Sequence, residues 1–193
     1  MEQISVKEIT GLETLAGKSG AARDFPKFMA AVEASPDAST VLLDWSGIEV
    51  ATASYFGGTY VRLLRMTMTG DLDRYLILTG LNETCLDELK LALELPGLVA
   101  LLADCGKNAT IKGIQTFGKL ERAYIEAFVE VHRSKGISAS ELHQKHVRGH
   151  NGIGKTAWIN RLSNLHRLRL VRKQKTGRQF VFTPVNEESQ HGY

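Results

Sequence analysis

One segment near the carboxyl terminus is densely basic and entirely free of acidic residues. Between Glu141 and Glu187 the chain carries ten lysine or arginine residues and no aspartate or glutamate. A surface of that composition favours a polyanionic partner, because no carboxylate within the segment neutralises it. The hydrophobic pattern of the segment predicts a helix, a turn, a second helix and a hairpin, which limits the folds open to this part of the chain.

The overall net charge of +3 hides two regions of opposite sign. Residues 1–114 carry 10 basic and 15 acidic side chains, whereas residues 115–193 carry 14 basic and 6 acidic side chains and all six histidines. This asymmetry predicts two domains, 1–114 and 115–185, followed by a polar tail at 186–193. We expect the basic domain to bind nucleic acid and the acidic domain to bind a different partner.

Composition and cysteine usage are typical of a cytoplasmic protein. No apolar run approaches the ~20 residues that a membrane-spanning helix needs, and the amino terminus shows no secretory signal. Cys85 and Cys105 are the two cysteines, and their spacing is not that of metal ligands. We interpret them as buried thiols in a reducing compartment, and we predict no membrane partner.

Residues 1–114 alternate between apolar strands and amphipathic helices. The predicted elements are a weak strand at 2–9, a helix at 21–34, a buried strand at 40–45, a helix from Tyr55 onward, a buried strand at 74–79, a helix at 82–95 and a hairpin at 98–111. Strands and helices in this order imply an α/β domain with helices packed on a mixed sheet.

The segment from Val41 to Gly57, VLLDWSGIEVATASYFG, resembles the central strand, loop and helix of STAS domains, the anti-sigma-factor-antagonist fold. It is most similar to the divergent STAS-like group, and the resemblance covers residues 1–100. In the antagonists, this loop carries a phosphorylated serine at the helix start, and the position that corresponds to it here is Ala53. The resemblance therefore implies a STAS-like signalling module that lacks the usual phosphorylated hydroxyl.

Thr52 and Ser54 flank that alanine, and each hydroxyl has two interpretations. Either side chain can cap the helix by accepting a hydrogen bond from a free amide. Alternatively, both are contacts for a partner or a signal, since a helix start favours negative charge. No paired carboxylates and no nucleophile with an adjacent base are evident in this domain, so we predict that the protein is not an enzyme.

The basic domain is predicted to contain three helices and a hairpin. Ser138 and Glu141 have the spacing of a capping box at the start of the second helix. The third helix runs from 155 to 166, and its apolar stripe is predicted to face inward. The stripe consists of Trp158, Leu162 and Leu165.

This arrangement resembles the winged helix-turn-helix domains of bacterial repressors, through the segments NRLSNL at 160–165, Leu170-Val171 and the Arg-rich turn that follows. It departs from them at Arg169, where many relatives have glycine, and in the long turn at 148–154. The resemblance implies a small α+β domain whose third helix enters the major groove while the hairpin contacts phosphate. The candidate DNA-binding residues are Lys155, Thr156, Asn160, Arg161, Arg172, Lys173, Lys175 and Arg178.

Two further motifs precede the third helix, and neither predicts a cofactor or a metal. Gly149–Thr156 matches the phosphate-binding loop pattern, but residues 141–146 before it do not form a buried strand and only 37 residues follow it. His143, His146 and His150 have no cysteine near them in sequence, and the one nearby carboxylate, Glu141, is assigned to the capping box, so four zinc ligands are not available. We therefore predict no cofactor and no metal.

The two resemblances together imply a transcriptional regulator with two domains. Its partner is double-stranded DNA of a specific sequence, and its STAS-like domain receives a protein or ligand signal. The alternative is an interaction adaptor of the anti-sigma-factor-antagonist type that does not bind DNA. The first helix of the basic domain is longer than the fold needs. Its exposed face is therefore expected to contact either the other domain or the second subunit of a homodimer.

Overall fold

The computed structural model describes residues 1–105, 111–147 and 153–186. The chain divides into two compact units, 1–119 and 120–193, which we call unit 1 and unit 2. Its class is mixed α/β, as the sequence predicts. Within the described part of the chain, no helix is both long enough and apolar enough to cross a bilayer.

Unit 1 is built on a five-stranded sheet. Its elements are β1 (Glu2–Ser5), α1 (Val6–Thr10), β2 (Thr14–Leu15), α2 (Gly17–Glu33), β3 (Ser39–Asp44), β4 (Val50–Ala51), α3 (Ala53–Gly58), α4 (Tyr60–Thr69), β5 (Arg74–Thr79), α5 (Glu83–Glu94), β6 (Val99–Cys105) and β7 (Ile111–Gly118). The sheet order is β1-β3-β5-β6-β7, in which β1, β3, β5 and β6 are parallel and β7 is antiparallel to β6. The short strands β2 and β4 pair separately.

Alternate residues of the central strands carry the core of unit 1. Val41 and Leu43 of β3 and Leu76 and Leu78 of β5 are buried in one apolar cluster with side chains from the helices. Successive side chains of a strand point to opposite faces, so this alternation assigns them to the face that the helices cover. Trp45, directly after β3, is fully buried in the same cluster.

The structure corrects three sequence predictions in unit 1. The predicted strand 2–9 is a strand only to Ser5, because the Ser5 hydroxyl accepts a hydrogen bond from the Glu8 amide and starts α1. The predicted helix from Tyr55 begins at Ala53 and is interrupted at Thr59, whose φ and ψ are −117° and −89°. The domain boundary predicted at residue 114 falls inside β7, five residues before the division between the two units.

Unit 2 contains three helices and three strands among its described residues. Its elements are α6 (Arg122–Ser134), β8 (Ile137–Ser138), α7 (Ala139–Val147), α8 (Lys155–Arg167), β9 (Arg172–Thr176) and β10 (Gln179–Thr183). The strands form an antiparallel sheet in the order β8-β10-β9. The strand β8 is an element that the sequence analysis did not predict, and the turn of the hairpin comprises Gly177 and Arg178.

Two local predictions in unit 2 are confirmed. The Ser138 hydroxyl accepts from the Glu141 amide at 3.3 Å, and the Glu141 carboxylate accepts from the Ser138 amide at 2.7 Å, which completes the capping box. Hydrogen bonds donated to the Glu141 carboxylate by the Ser138 hydroxyl and by the Ser138 amide hold the pKa of Glu141 below its usual range. The stripe of α8 faces inward as predicted: Trp158, Leu162 and Leu165 are all buried.

Candidate nucleic-acid interface

The face of α8 opposite the buried stripe is polar and exposed. Lys155, Thr156 and Asn160 all lie on it in contact with solvent. The first turn contains no acidic residue, and Gly154 at the cap position supplies no side-chain acceptor. A lysine at this end of a helix opposes the helix dipole, so the arrangement favours an external anion over an internal one.

The β9–β10 hairpin carries the second group of candidate residues. Lys175 and Arg178 are exposed at its turn. Lys173 is half-buried, and its Nζ lies 4.1 Å from the ring centroid of Phe180 on the neighbouring strand. This cation–π contact fixes the ammonium group on the surface of the hairpin and leaves its charge available.

The face of α8 and the hairpin meet in one groove, which we call the basic groove. Its volume is about 300 Å³. Lys155, Lys173 and Arg178 contribute three cations to it, and none of its described lining residues is acidic. The remaining lining residues used below are Ala139 at the start of α7, Ile159 of α8, and Phe180 and Phe182 of β10. Thr156, Asn160 and Lys175 are exposed on the same two elements but do not line the groove.

Arg161 and Arg172, which the sequence analysis selected as DNA contacts, do not line this groove. The Arg161 guanidinium is directed toward α6, where Nη1 lies 3.9 Å from Glu126 Oε2 and Cζ lies 4.9 Å from the Trp158 ring centroid. Arg172 is 9% exposed, and its Nε donates to the Val185 carbonyl at 3.1 Å. Both side chains serve the internal packing of unit 2.

The histidines of unit 2 have structural contacts. His143 Nδ1 lies 3.1 Å from the Ile153 carbonyl oxygen, and the rings of His146 and Trp158 pack with their centroids 4.8 Å apart. Burial lowers the pKa of His132 to about 4, and its Nε2 has no hydrogen-bond partner among the described residues. Over 1–105, 111–147 and 153–186, no three His, Cys, Asp or Glu side chains are grouped as metal ligands would be. His150 lies outside the described residues.

The phosphate-binding loop pattern at Gly149–Thr156 is described only from Ile153 onward. The segment before it is the helix α7, so the prediction that no buried strand precedes the pattern is confirmed. A phosphate-binding loop of the nucleotide-hydrolysing type requires such a strand. The structural context therefore does not favour a nucleotide site here.

In unit 1, Thr52 is the cap of α3. Its hydroxyl accepts from the Tyr55 amide at 3.4 Å and from the Gly17 amide at 3.1 Å, and the Ser54 hydroxyl lies 3.1 Å from it. The amide of Ala53 donates to the carboxylate of Glu88 on α5 at 2.5 Å. Glu88 is a residue that the sequence analysis missed, because no local pattern links it to a helix start 35 residues away. A carboxylate from within the chain already occupies the place where an external anion would bind.

Comparison with known proteins assigns no family to the chain. No protein-family model matches it, and no curated protein matches it in sequence. The STAS-like and winged-helix resemblances therefore stay predictions, and the functional argument depends on the geometry described above.

Proposed function

We propose that the chain is a sequence-specific DNA-binding protein that controls transcription. The observation that carries this proposal is the basic groove, where three cations from α8 and the hairpin converge and no described lining residue is acidic. Duplex DNA presents a regular array of phosphates beside the base edges, so a helix flanked by cations matches it in charge and in shape.

Each element then has a distinct role. Lys155, Thr156 and Asn160 contact base edges from α8, where an asparagine amide can bond an adenine through two hydrogen bonds. Lys173, Lys175 and Arg178 contact phosphates and set the register of the protein on the duplex. In this proposal unit 2 is a winged helix, with α8 in the major groove and β9–β10 as the wing.

Unit 1 receives the signal in this proposal, as a STAS-like module in a cytoplasmic protein. The internal capping of α3 by Thr52 and Glu88 supports a signal other than phosphorylation at Ala53, which has no hydroxyl. The exposed hydroxyl of Ser54 is the remaining candidate for a partner contact at that helix start.

The test begins with selection of bound sequences from a random DNA pool by the full-length protein. Binding should weaken steeply as salt rises, because phosphate contacts release counterions. Asn160→Ala should weaken the selected site more than random DNA. Lys175→Ala should weaken both alike and reduce the magnitude of the salt slope by about 1.

Arg122→Ala is the matched control for the lysine variant. Arg122 is 93% exposed on α6, so its loss removes one positive charge away from the basic groove. Its salt slope should equal that of the wild type. Recovery of no enriched sequence, together with a flat salt response, would contradict DNA binding and favour the adaptor alternative.

A further inference from the structure

The basic groove contains two exposed apolar side chains that phosphate contacts do not require. Ile159 is 43% exposed and Phe180 is 50% exposed, and they belong to different elements, α8 and β10. Both line the groove beside its three cations. Phe180 already holds Lys173, whereas the branched aliphatic side chain of Ile159 gains nothing from a phosphate oxygen. Ile159 therefore favours an apolar group on the bound molecule.

The surroundings of the pair hold it in place. Lys173 lies over the ring of Phe180, while Phe182, which is 3% exposed, and Ala139 also line the groove. Ile159 directly follows the buried Trp158 on α8, so its backbone is held by the packed stripe of that helix. The apolar surface is therefore carried by regular elements, as a specificity contact requires.

Duplex DNA offers one apolar group on the major-groove edges of its bases, the 5-methyl group of thymine. An acidic peptide with an apolar side chain is another ligand that a basic and apolar groove can bind. DNA is favoured because cations from both α8 and the hairpin flank the apolar pair, as phosphates of the backbone flank a base edge.

We propose that Ile159, supported by Phe180, recognises the 5-methyl group of a pyrimidine, which is thymine in unmodified DNA. The inference rests on the proposed DNA-binding function and adds to it the class of base that the groove selects. The preferred DNA site should therefore contain a thymine that faces the first turns of α8.

Replacement of thymine by deoxyuridine tests this without any change to the protein. Each thymine of the selected site is replaced in turn, which removes one methyl group and leaves every hydrogen-bonding group intact. The affinity of the full-length wild type should fall about fourfold at one or two positions, the effect expected for one buried methyl group.

Variants then assign the methyl contact to the groove. Ile159→Ala should abolish the difference between thymine and uracil at the sensitive position, and Phe180→Ala should reduce it. Val129→Ala is the matched control, because Val129 is 44% exposed on α6 and does not line the basic groove. The control should discriminate as the wild type does, and circular dichroism checks that each variant is folded.

The outcomes separate this inference from the function on which it rests. Failure to bind any DNA contradicts both. Specific DNA binding in which no thymine is sensitive to uracil, or in which Ile159→Ala discriminates as the wild type does, overturns the methyl contact alone. A third outcome also overturns the methyl contact: Ile159→Ala and Phe180→Ala keep the DNA affinity of the wild type, and an acidic peptide displaces DNA from the groove. That outcome assigns the apolar pair to a protein partner.

Discussion

The amino termini of α3 and α8 differ in where their negative charge comes from. At α3, Thr52 caps the helix and the Glu88 carboxylate accepts from the Ala53 amide, so the anion comes from within unit 1. At α8, Gly154 supplies no side-chain cap, the first turn contains no acid, and Lys155 places a positive charge there. The first start is complete in itself, whereas the second gains from an external anion.

The difference shows that a polar helix start indicates a ligand only when its internal acceptors have been counted. Thr52, Ser54, Lys155 and Thr156 are all polar residues near helix starts, and the sequence motif around Thr52 is the more specific of the two. Among the described residues, the contacts nevertheless give the start of α3 an internal anion and give the start of α8 none. The predictions below test that contrast from its largest expected effect to its smallest.

Removal of the three groove cations should remove most of the attraction of α8 for external anions, so that it resembles α3 in this respect. In Lys155→Ala/Lys173→Ala/Arg178→Ala, we expect DNA affinity to fall at least about a hundredfold, because one base contact and two phosphate contacts are lost. The magnitude of the salt slope should fall by about 2, since each of the phosphate contacts of Lys173 and Arg178 contributes about 1. Fluorescence anisotropy at several salt concentrations measures both quantities. Lys18→Ala/Lys90→Ala, which removes exposed lysines of unit 1, should change neither.

Mild acid should lower the free energy of unfolding of unit 2 more than that of unit 1. All six histidines lie in unit 2, and burial lowers the pKa of His132 to about 4 from an ordinary value near 6.5. The unfolded chain therefore binds the proton first, so the free energy of unfolding of unit 2 falls as pH drops from about 6.5 to about 4. Between pH 7.5 and pH 5 the loss should be roughly 2 kcal/mol.

Differential scanning calorimetry of wild type and His132→Leu checks this. The transition that the substitution shifts belongs to unit 2, and its dependence on pH above 5 should flatten in the variant. An equal acid response in the two proteins would show that His132 is not the group responsible.

Loss of the internal anion should destabilise unit 1. Glu88→Ala leaves the Ala53 amide without its acceptor, and we expect the free energy of unfolding to fall by about 1–2 kcal/mol. Urea unfolding measures the change. Asp87→Ala, an exposed acid one residue away on α5, is the control and should cost less than about 0.5 kcal/mol. A similar loss in both variants would contradict a specific role for Glu88.

An acidic residue introduced at the start of α8 should give that helix an internal anion, as Glu88 does for α3. Stability should rise and DNA affinity should fall. Thr156→Glu places a carboxylate in the first turn, where the helix dipole favours it by about 0.5 kcal/mol. The same charge repels phosphate, so DNA affinity should fall about tenfold or more. Thermal unfolding and anisotropy measured on the same preparation decide the matter, and a variant that loses stability along with affinity would argue against the contrast.

The parts of the fold that the sequence predicted are those set by neighbours in the chain. The capping box of Ser138 and Glu141 spans three residues, and the stripe of Trp158, Leu162 and Leu165 spans two helical turns, so both patterns are complete within one segment. The strand β5 was predicted with its observed bounds, because the apolar run from Tyr75 to Leu78 has the pattern of a buried strand, and every residue of β5 is buried.

The parts that were missed depend on partners distant in sequence. Glu88 and Ala53 meet only when α5 packs beside α3. Arg172 was selected for its charge, but its guanidinium group is buried and donates a hydrogen bond to the carbonyl of Val185, thirteen residues later. The close approach of α3 to α2 likewise depends on residues far apart in sequence, since a side chain on Gly58 would meet the Ala21 Cβ at 2.6 Å.

The two-residue strand β8 has a consequence for the order in which unit 2 opens. Ile137 pairs with Phe182 and Ser138 with Val181, so β8 joins the base of the hairpin to the start of α7. Because that pairing closes a long loop, its amides should exchange hydrogen only when the helices separate as well. The turn at Gly177 and Arg178 has no such tie and should exchange far faster. The hairpin is thus anchored at its base, whereas its tip can bend more easily, and in the proposed complex this would let the tip adjust to a duplex without moving α8.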